Sequence, residues 1–334
     1  MNNLTYRRAS MMLLCAAAIA VCVALSLTFG ARGVNLSEIL TGLFGRGELP
    51  IGAAVVRERV PRTVLGLIAG AALGMSGALM QAVTRNPLAD PGILGVNTGA
   101  ALAVVCGIAF FGISTLNQYI AFALVGAGAS AVFVYSVGSL GRGGATPIKL
   151  ALAGAATTAA LSSLISAVML PRAEHMEAFR FWQSGGIGGA TWAGIGSVSP
   201  LFAVGAVIAV FSCGSLNALA LGDDAATSLG VRTGRARLLG AGAGVLLCGA
   251  ATAIAGPIGF VGLMIPHAVR LVTGPDLRWV LPLSAVGGAV MLLAADVAGR
   301  LLGRPGEIDA GLVTAFIGAP ALIIIAMRSK VRSL

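Results

Sequence analysis

The sequence is short of charge. Only 10% of its 334 residues are Asp, Glu, Lys or Arg, and 57% are hydrophobic, whereas a soluble domain is about 25% charged. So little polar surface excludes an ordinary cytosolic enzyme and leaves an integral membrane protein. Lysine is nearly absent, with only Lys149 and Lys330. Neither follows a glycine, so the chain lacks the GxxxxGK loop and cannot hydrolyse ATP by that route. There are two histidines, and the five cysteines (Cys15, Cys22, Cys106, Cys213, Cys248) lie in apolar segments without a CxxC pair. No zinc site of ordinary spacing can be built from these, and the thiols read as small core residues. HExxH and paired intramembrane aspartates are also missing, which speaks against an intramembrane hydrolase. The formal charge of +10 is scattered arginine without the run of five or more that a nucleic-acid arm needs.

What the chain does have is long apolar blocks, at 11–29, 63–83, 93–113, 119–140, 148–170, 193–213, 237–255, 280–301 and 310–327. Each is near the roughly 20 residues of a membrane-spanning helix. A shorter block at 257–271, interrupted by Pro257 and Pro266 and carrying His267 and Arg270, brings the number to ten. The first block is longer than a signal-peptide core and lacks a clear cleavage site, so it reads as an uncleaved helix. The expected fold is an all-α integral membrane protein of about ten helices in a single domain, 1–334. With the N-terminus inside, 13 basic residues fall on the inner side and 9 on the outer, the direction of the positive-inside rule; both termini are then cytoplasmic.

Local patterns add detail. Forty-eight glycines suit close helix packing in lipid, as in the steps of four Gly66–Gly70 and Gly240–Gly244–Cys248. Gly77-Ala78 leading to Pro91-Gly92 is echoed by Gly249-Ala250 leading to Pro257-Ile258-Gly259, a weak sign of an inverted repeat. Asp296 reads either as a relay or as the partner of Arg300 four residues on. Arg57, Arg59 and Arg62 suit a headgroup anchor. Gly154, Thr158, Ser162 and Ser166 share one helix face, either a packing stripe or an uncharged pore wall that could not hold cargo tightly. Segment 214–232 contains a short knob in which Asp223 or Asp224 is expected to cap a helix that Gly230 ends.

Longer strings carry a resemblance. Arg59-Val60-Pro61-Arg62 precedes Arg85-Asn86-Pro87-Leu88-Ala89-Asp90-Pro91-Gly92-Ile93-Leu94-Gly95-Val96-Asn97; later come Phe181-Trp182-Gln183-Ser184-Gly185-Gly186 with Trp192, Leu219 to Val231, Gly256-Pro257-Ile258-Gly259-Phe260-Val261-Gly262 with Pro266-His267 and Arg270, and Asp296 to Arg300 followed by Gly311 to Pro320. Together, over almost the whole chain, these resemble the FecCD-type permeases, membrane subunits of bacterial ABC importers for iron–siderophores, haem and vitamin B12. Glu307-Ile308-Asp309 departs from the more usual Glu-Leu-Pro, so the start of the last helix is expected to differ.

The resemblance implies a vitamin B12 permease-like (type II importer) fold in the bacterial inner membrane. It implies a second permease subunit, identical or a sibling, two cytoplasmic ABC ATPase subunits that bind the ATP and Mg, and an extracytoplasmic substrate-binding protein. This chain itself needs no cofactor, metal or nucleic acid. Leu221, Gly222, Asp223, Asp224, Ala225, Ala226, Ser228, Leu229 and Gly230 match the ATPase-coupling segment. Arg59, Arg62 and Arg300 match positions that meet acidic residues of the binding protein. Asn86, Leu88, Thr146, Pro147, Leu150, Gly154, Thr158 and Ser162 match gate and pathway positions. The cargo implied first is a ferric siderophore, with haem or vitamin B12 as alternatives. The rival of another class is an ion-coupled secondary transporter.

Overall fold

The computed structural model describes residues 2–30, 32–47, 49–87, 89–141 and 146–328. Among the described residues there are thirteen α-helices, one 3-10 turn and no strand: α1 (Asn2–Thr28), α2 (Leu36–Phe44), α3 (Ile51–Thr84), the 3-10 turn (Pro91–Leu94), α4 (Val96–Phe111), α5 (Leu116–Ser139), α6 (Pro147–Met169), α7 (Ala173–Ser184), α8 (Trp192–Leu219), α9 (Asp223–Ser228), α10 (Thr233–Ala255), α11 (Val261–Thr273), α12 (Leu277–Leu302) and α13 (Ala310–Arg328). Each of the ten apolar blocks contains an α-helix. Helices α3, α5, α6, α8, α10 and α12 are long and apolar enough to cross a membrane, and α1, α4, α11 and α13 are shorter apolar helices. Backbone donors and acceptors have no water to turn to in a bilayer core, so a chain this apolar closes its bonds within helices.

Starts and stops follow from side-chain chemistry. The Asn35 side chain accepts from the Glu38 backbone N–H at 2.9 Å, and Glu38 accepts from the Asn35 N–H at 2.8 Å. This reciprocal cap opens α2. Thr146 and Thr191 accept from the N–H groups of Lys149 and Gly194 and open α6 and α8, and Asp276 caps α12 through the Arg278 N–H. Pro61, Pro200, Pro266, Pro282 and Pro320 lie inside helices; the Gly262 carbonyl freed by Pro266 accepts from Gln81 of α3 at 3.5 Å, and the Gly196 carbonyl freed by Pro200 accepts from the Ser199 hydroxyl at 3.1 Å.

The bundle centres on α3, which packs antiparallel to α12. Gly70 and Gly288 meet backbone to backbone, and a methyl on either would strike the other's carbonyl oxygen. In lipid there is no hydrophobic drive between helices, so this close approach is itself the source of cohesion. Helix α3 also meets α10: Gly244 lies against Met80, Gly240 against Val83, and the Ser76 hydroxyl donates to the Gly244 carbonyl at 2.5 Å. The two expected glycine steps are therefore the contact stripes of α3 and α10. Large apolar side chains that stay exposed, such as Val125, Val132, Phe211 and Phe316, form the surface a bilayer would cover.

Two segments depart from simple spans. The block expected at 257–271 is helical only from Val261 to Thr273. Thirteen residues rise about 20 Å, short of the roughly 30 Å hydrocarbon core. The 256–260 stretch before it is not helical, and it runs back from the end of α10 to seat Gly262 against Gly77 in the body of α3. Likewise 86–95 returns from the end of α3, and Gly95 starts α4 against Ser130 and Thr158, well inside α5 and α6. The two units exchange contacts. At the start of α4, Asn97 accepts from Thr252 of α10 at 2.9 Å, while at the start of α11 the Leu263 carbonyl accepts from Gln81 of α3 at 3.0 Å. The sequence echo thus has a reciprocal structural counterpart.

Candidate functional site

One end of the bundle gathers the C-termini of α1 and α12 and the N-termini of α3 and α13. Asp296 is the hub, its side chain only 2% exposed. Its carboxylate accepts from Arg62 Nη2 at 2.8 Å and Nε at 3.0 Å, and pairs with Arg300 at 2.8 Å. Arg62 reaches on to Glu307 at 2.7 Å. The expected Asp296–Arg300 pair is present, and Arg62 and Glu307 extend it into a network.

The remaining arginine hydrogen bonds go to the end of α1 and the residues just beyond it. Arg300 donates to the Ser26 and Phe29 carbonyls, Arg59 to those of Leu27, Thr28 and Arg32, and Arg304 to that of Gly30. A helix C-terminus leaves four carbonyls unpaired and carries partial negative charge, and these guanidiniums cap it. Arg59 and Arg300 are 7% and 1% exposed. The structure brings the three arginines matched to docking together, with Arg59 and Arg300 turned inward; Arg57 and Arg304 are the exposed cations beside them. Arg304 and Ser26 had no local signal, because their partners lie more than 270 positions away.

Beside this end, the Trp–Gly-rich–Trp segment lines a cavity of about 420 Å³ with Trp182, Gly186, Gly188, Thr191 and Asp309 among its walls. The Asp309 carboxylate accepts from the Ser184 hydroxyl at 2.5 Å, and the Gly311 N–H donates to the Gly185 carbonyl at 2.8 Å. Asp309 thus ties the start of α13 to the glycine loop.

The opposite end carries α9. Its start differs from the sequence expectation: Gly222 (φ 114°) occupies the capping position with no side-chain cap, and Asp223 and Asp224 sit inside the first turn. Carboxylates there complement the helix dipole. Gly222 wins the position because its φ lies where an L side chain is strained. The other end is as expected. Gly230 (φ 81°) donates to the Thr227 carbonyl at 2.9 Å and Val231 to that of Ala226 at 3.0 Å, the paired bonds of a glycine-ended helix. Ala226 is buried, while Leu221, Asp224, Ala225, Ser228 and Leu229 are exposed.

Asp223 faces the bundle instead. It pairs with Arg85, the left-handed residue (φ 51°) that ends α3, and with Arg237 of α10 at 2.8 Å. Desolvation pushes its pKa up, but Arg237 and Arg85 outweigh that and hold it below the ordinary value of 3.8.

The gate and pathway positions fall into two groups. Leu150 is buried against Gly138, Gly154 is buried, and Thr158 lies near Gly95, so this part of the stripe packs within the chain. Ser162 is exposed, in a row with Ala155, Ala156, Ala159 and Ala160. Thr146 caps α6, Pro147 is in its first turn, and Asn86 accepts from the Ala89 N–H at 3.1 Å. Leu88 and 142–145 lie outside the described residues. Between α3 and α11, Arg270 donates to Gln81 and, at 3.3 Å, to the Ala78 carbonyl. Among the described residues no group of three or more His, Cys, Asp or Glu could hold a metal ion.

Comparison with known proteins places this architecture. The family model of the FecCD transport family matches residues 18–328. The chain is 44% identical over 309 residues to the ferric enterobactin transport system permease protein FepD of Escherichia coli (strain K12), covering 92% of both chains. It is 40% identical to the iron(3+)-hydroxamate import system permease protein FhuB of Bacillus subtilis (strain 168), over 92% of this chain and 80% of that one. With the hemin transport system permease protein HmuU of Yersinia pestis the identity is 35%, over 81% and 82%. A solved structure described as an inward-facing conformation of a metal-chelate type ABC transporter superposes with a TM-score of 0.82 at 26% identity, covering 96% of this chain and 99% of that chain. Ten apolar helices, two reciprocal re-entrant units and a match over nearly the whole chain lead to one conclusion: this protein belongs to the FecCD transport family.

Proposed function

We propose that the chain is the membrane-spanning permease subunit of an ABC importer for ferric siderophores, driven by separate ATPase subunits and supplied by an extracytoplasmic binding protein. The 44% and 40% identities to permeases named for ferric enterobactin and iron(3+)-hydroxamate, against 35% for the hemin relative, favour a siderophore over haem. The chain lies in the bacterial inner membrane with both termini cytoplasmic. Helix α9 then faces the cytosol and the Asp296 network faces outward. ATP and Mg belong to the ATPase, whose cleft receives Leu221 to Gly230. The binding protein docks on the end organised by Arg59, Arg62 and Arg300. The exposed small-residue face of α6 around Ser162 meets a second permease subunit and borders the path, with Thr146, Pro147, Asn86 and Leu88 near its inner constriction. A wall without charge or large aromatic rings holds cargo weakly, as conduction requires.

The observation that carries this reading is α9. A six-residue helix held at its end by Gly230 presents Leu221 and Leu229, 69% and 65% exposed, at the charged end of the bundle. Apolar side chains there are suited to a protein partner rather than lipid. The test is co-purification with the ABC ATPase subunit of the same importer. Leu221→Glu and Leu229→Glu should each strip the ATPase from the permease while leaving the bundle folded. Full retention by the double variant would refute the docking role.

A further inference from the structure

Asp223 is the only residue of α9 whose carboxylate turns into the bundle, and its two partners belong to the two long helices of the reciprocal units. Arg237 stands on α10, and its Nη2 donates to both Asp223 oxygens at 2.8 and 2.9 Å. Arg85 closes α3 and pairs with the same carboxylate. Arg85 also holds a positive φ of 51°, where Gly or Asn is the usual occupant. The side chain carried at this strained position is the one that reaches Asp223. Arg85 leads into the 86–95 segment, of which 86, 87 and 89–95 are described. The Asn86 carbonyl accepts from Ala89, the Asp90 carboxylate accepts from Gly92 at 2.8 Å, and Gly95 starts α4 against Thr158 of α6. A push on α9 thus reaches the end of α3 and the turn that leads to the start of α4, where Gly95 lies beside the α6 stripe. On α10, the same push reaches the helix whose Thr252 holds Asn97 of α4.

We propose that Asp223, through Arg85 and Arg237, is the positioning residue that transmits displacement of α9 to the 86–95 segment and to α10. The ion pairs are a linkage rather than a source of stability. This rests on the reading of α9 as the ATPase-docking element, and it assigns the transmission to one residue of that element and to two arginines, Arg85 and Arg237, that lie outside the docking segment. Loss of Arg85 therefore leaves docking intact and uncouples ATP hydrolysis from transport.

The experiment uses the full transporter in proteoliposomes, with the binding protein loaded with a radio-iron tricatecholate. It measures ATPase retention, ATP hydrolysed and iron accumulated. Arg85→Gln should retain the ATPase and its hydrolysis rate while ATP spent per iron moved rises about tenfold, within the range of coupling between residues in contact. Asp223→Asn, read only as ATP spent per iron moved by the transporter that still assembles, should raise that ratio alike; the double variant should be no worse than the more severe single one, and Arg85→Lys should restore coupling. An unchanged ATP-to-iron ratio in Arg85→Gln would overturn the proposal. So would multiplying effects in the double variant, or a parallel fall of hydrolysis and uptake, which would mark a structural role. Loss of the ATPase from Arg85→Gln would also count against it. Failure of the docking reading itself shows separately, as retention of the ATPase by Leu229→Glu.

Discussion

Replacing Asp296 by Asn removes one negative charge from a site that its two partner guanidiniums cannot leave. Arg300 is anchored to the Ser26 and Phe29 carbonyls and buried to 1% exposure, and Arg62 would keep only Glu307. Breaking a buried ion pair from one side costs about 3–5 kcal/mol, because the remaining charge is left uncompensated. Against a typical total of about 5–15 kcal/mol, Asp296→Asn should remove a large part of the stability. Equilibrium unfolding in mixed micelles, followed by tryptophan fluorescence, reads this directly. Glu307→Gln is the internal comparison: the Glu307 side chain is 41% exposed, and an exposed pair contributes about 0–1 kcal/mol. If Asp296→Asn cost no more than Glu307→Gln, the network would not be what fastens α1 to α3 and α12.

Three further outcomes follow from other contacts. Gly70→Ala drives a methyl into the Gly288 carbonyl and should cost about 1–3 kcal/mol, whereas Gly128→Ala, where nothing lies within 4 Å, should stay within about 1 kcal/mol; the same unfolding assay distinguishes them. Thr191→Ala removes the 3.1 Å bond to the Gly194 N–H and should cost about 1 kcal/mol without changing ATPase retention. Asp223 has a folded-state pKa below 3.8, so its linkage is present above that value and is lost only as pH falls through the lower, folded one. Isotope-edited NMR titration should show this depression, and Arg237→Gln should shift the midpoint upward; a midpoint at or above 3.8 in the unsubstituted protein would contradict the pairing.

The spans were readable because an apolar run near twenty residues long has few alternatives in lipid. Hydropathy does not distinguish an α-helix from a turn or non-helical stretch buried among helices, so 257–260 merges with α11, and 93–95, the end of the 3-10 turn, with α4. Gly66, Gly70, Gly240 and Gly244 were legible as packing stripes because spacing alone sets a helix face. The arginine capping of α1 was not, since Arg300 and Ser26 meet only through the tertiary fold. The expectation that Asp223 or Asp224 caps α9 fails for a local reason: an aspartate at a helix start is the commoner capping residue, and only the backbone shows that Gly222 takes the position.

The central claim is that this chain is a passive conduit energised from outside itself. Reconstituted alone in vesicles, it should accumulate no ferric siderophore under any imposed proton or sodium gradient, and should do so once its ATPase, its loaded binding protein and ATP are supplied. Uphill accumulation by the lone chain under an ion gradient would contradict the account.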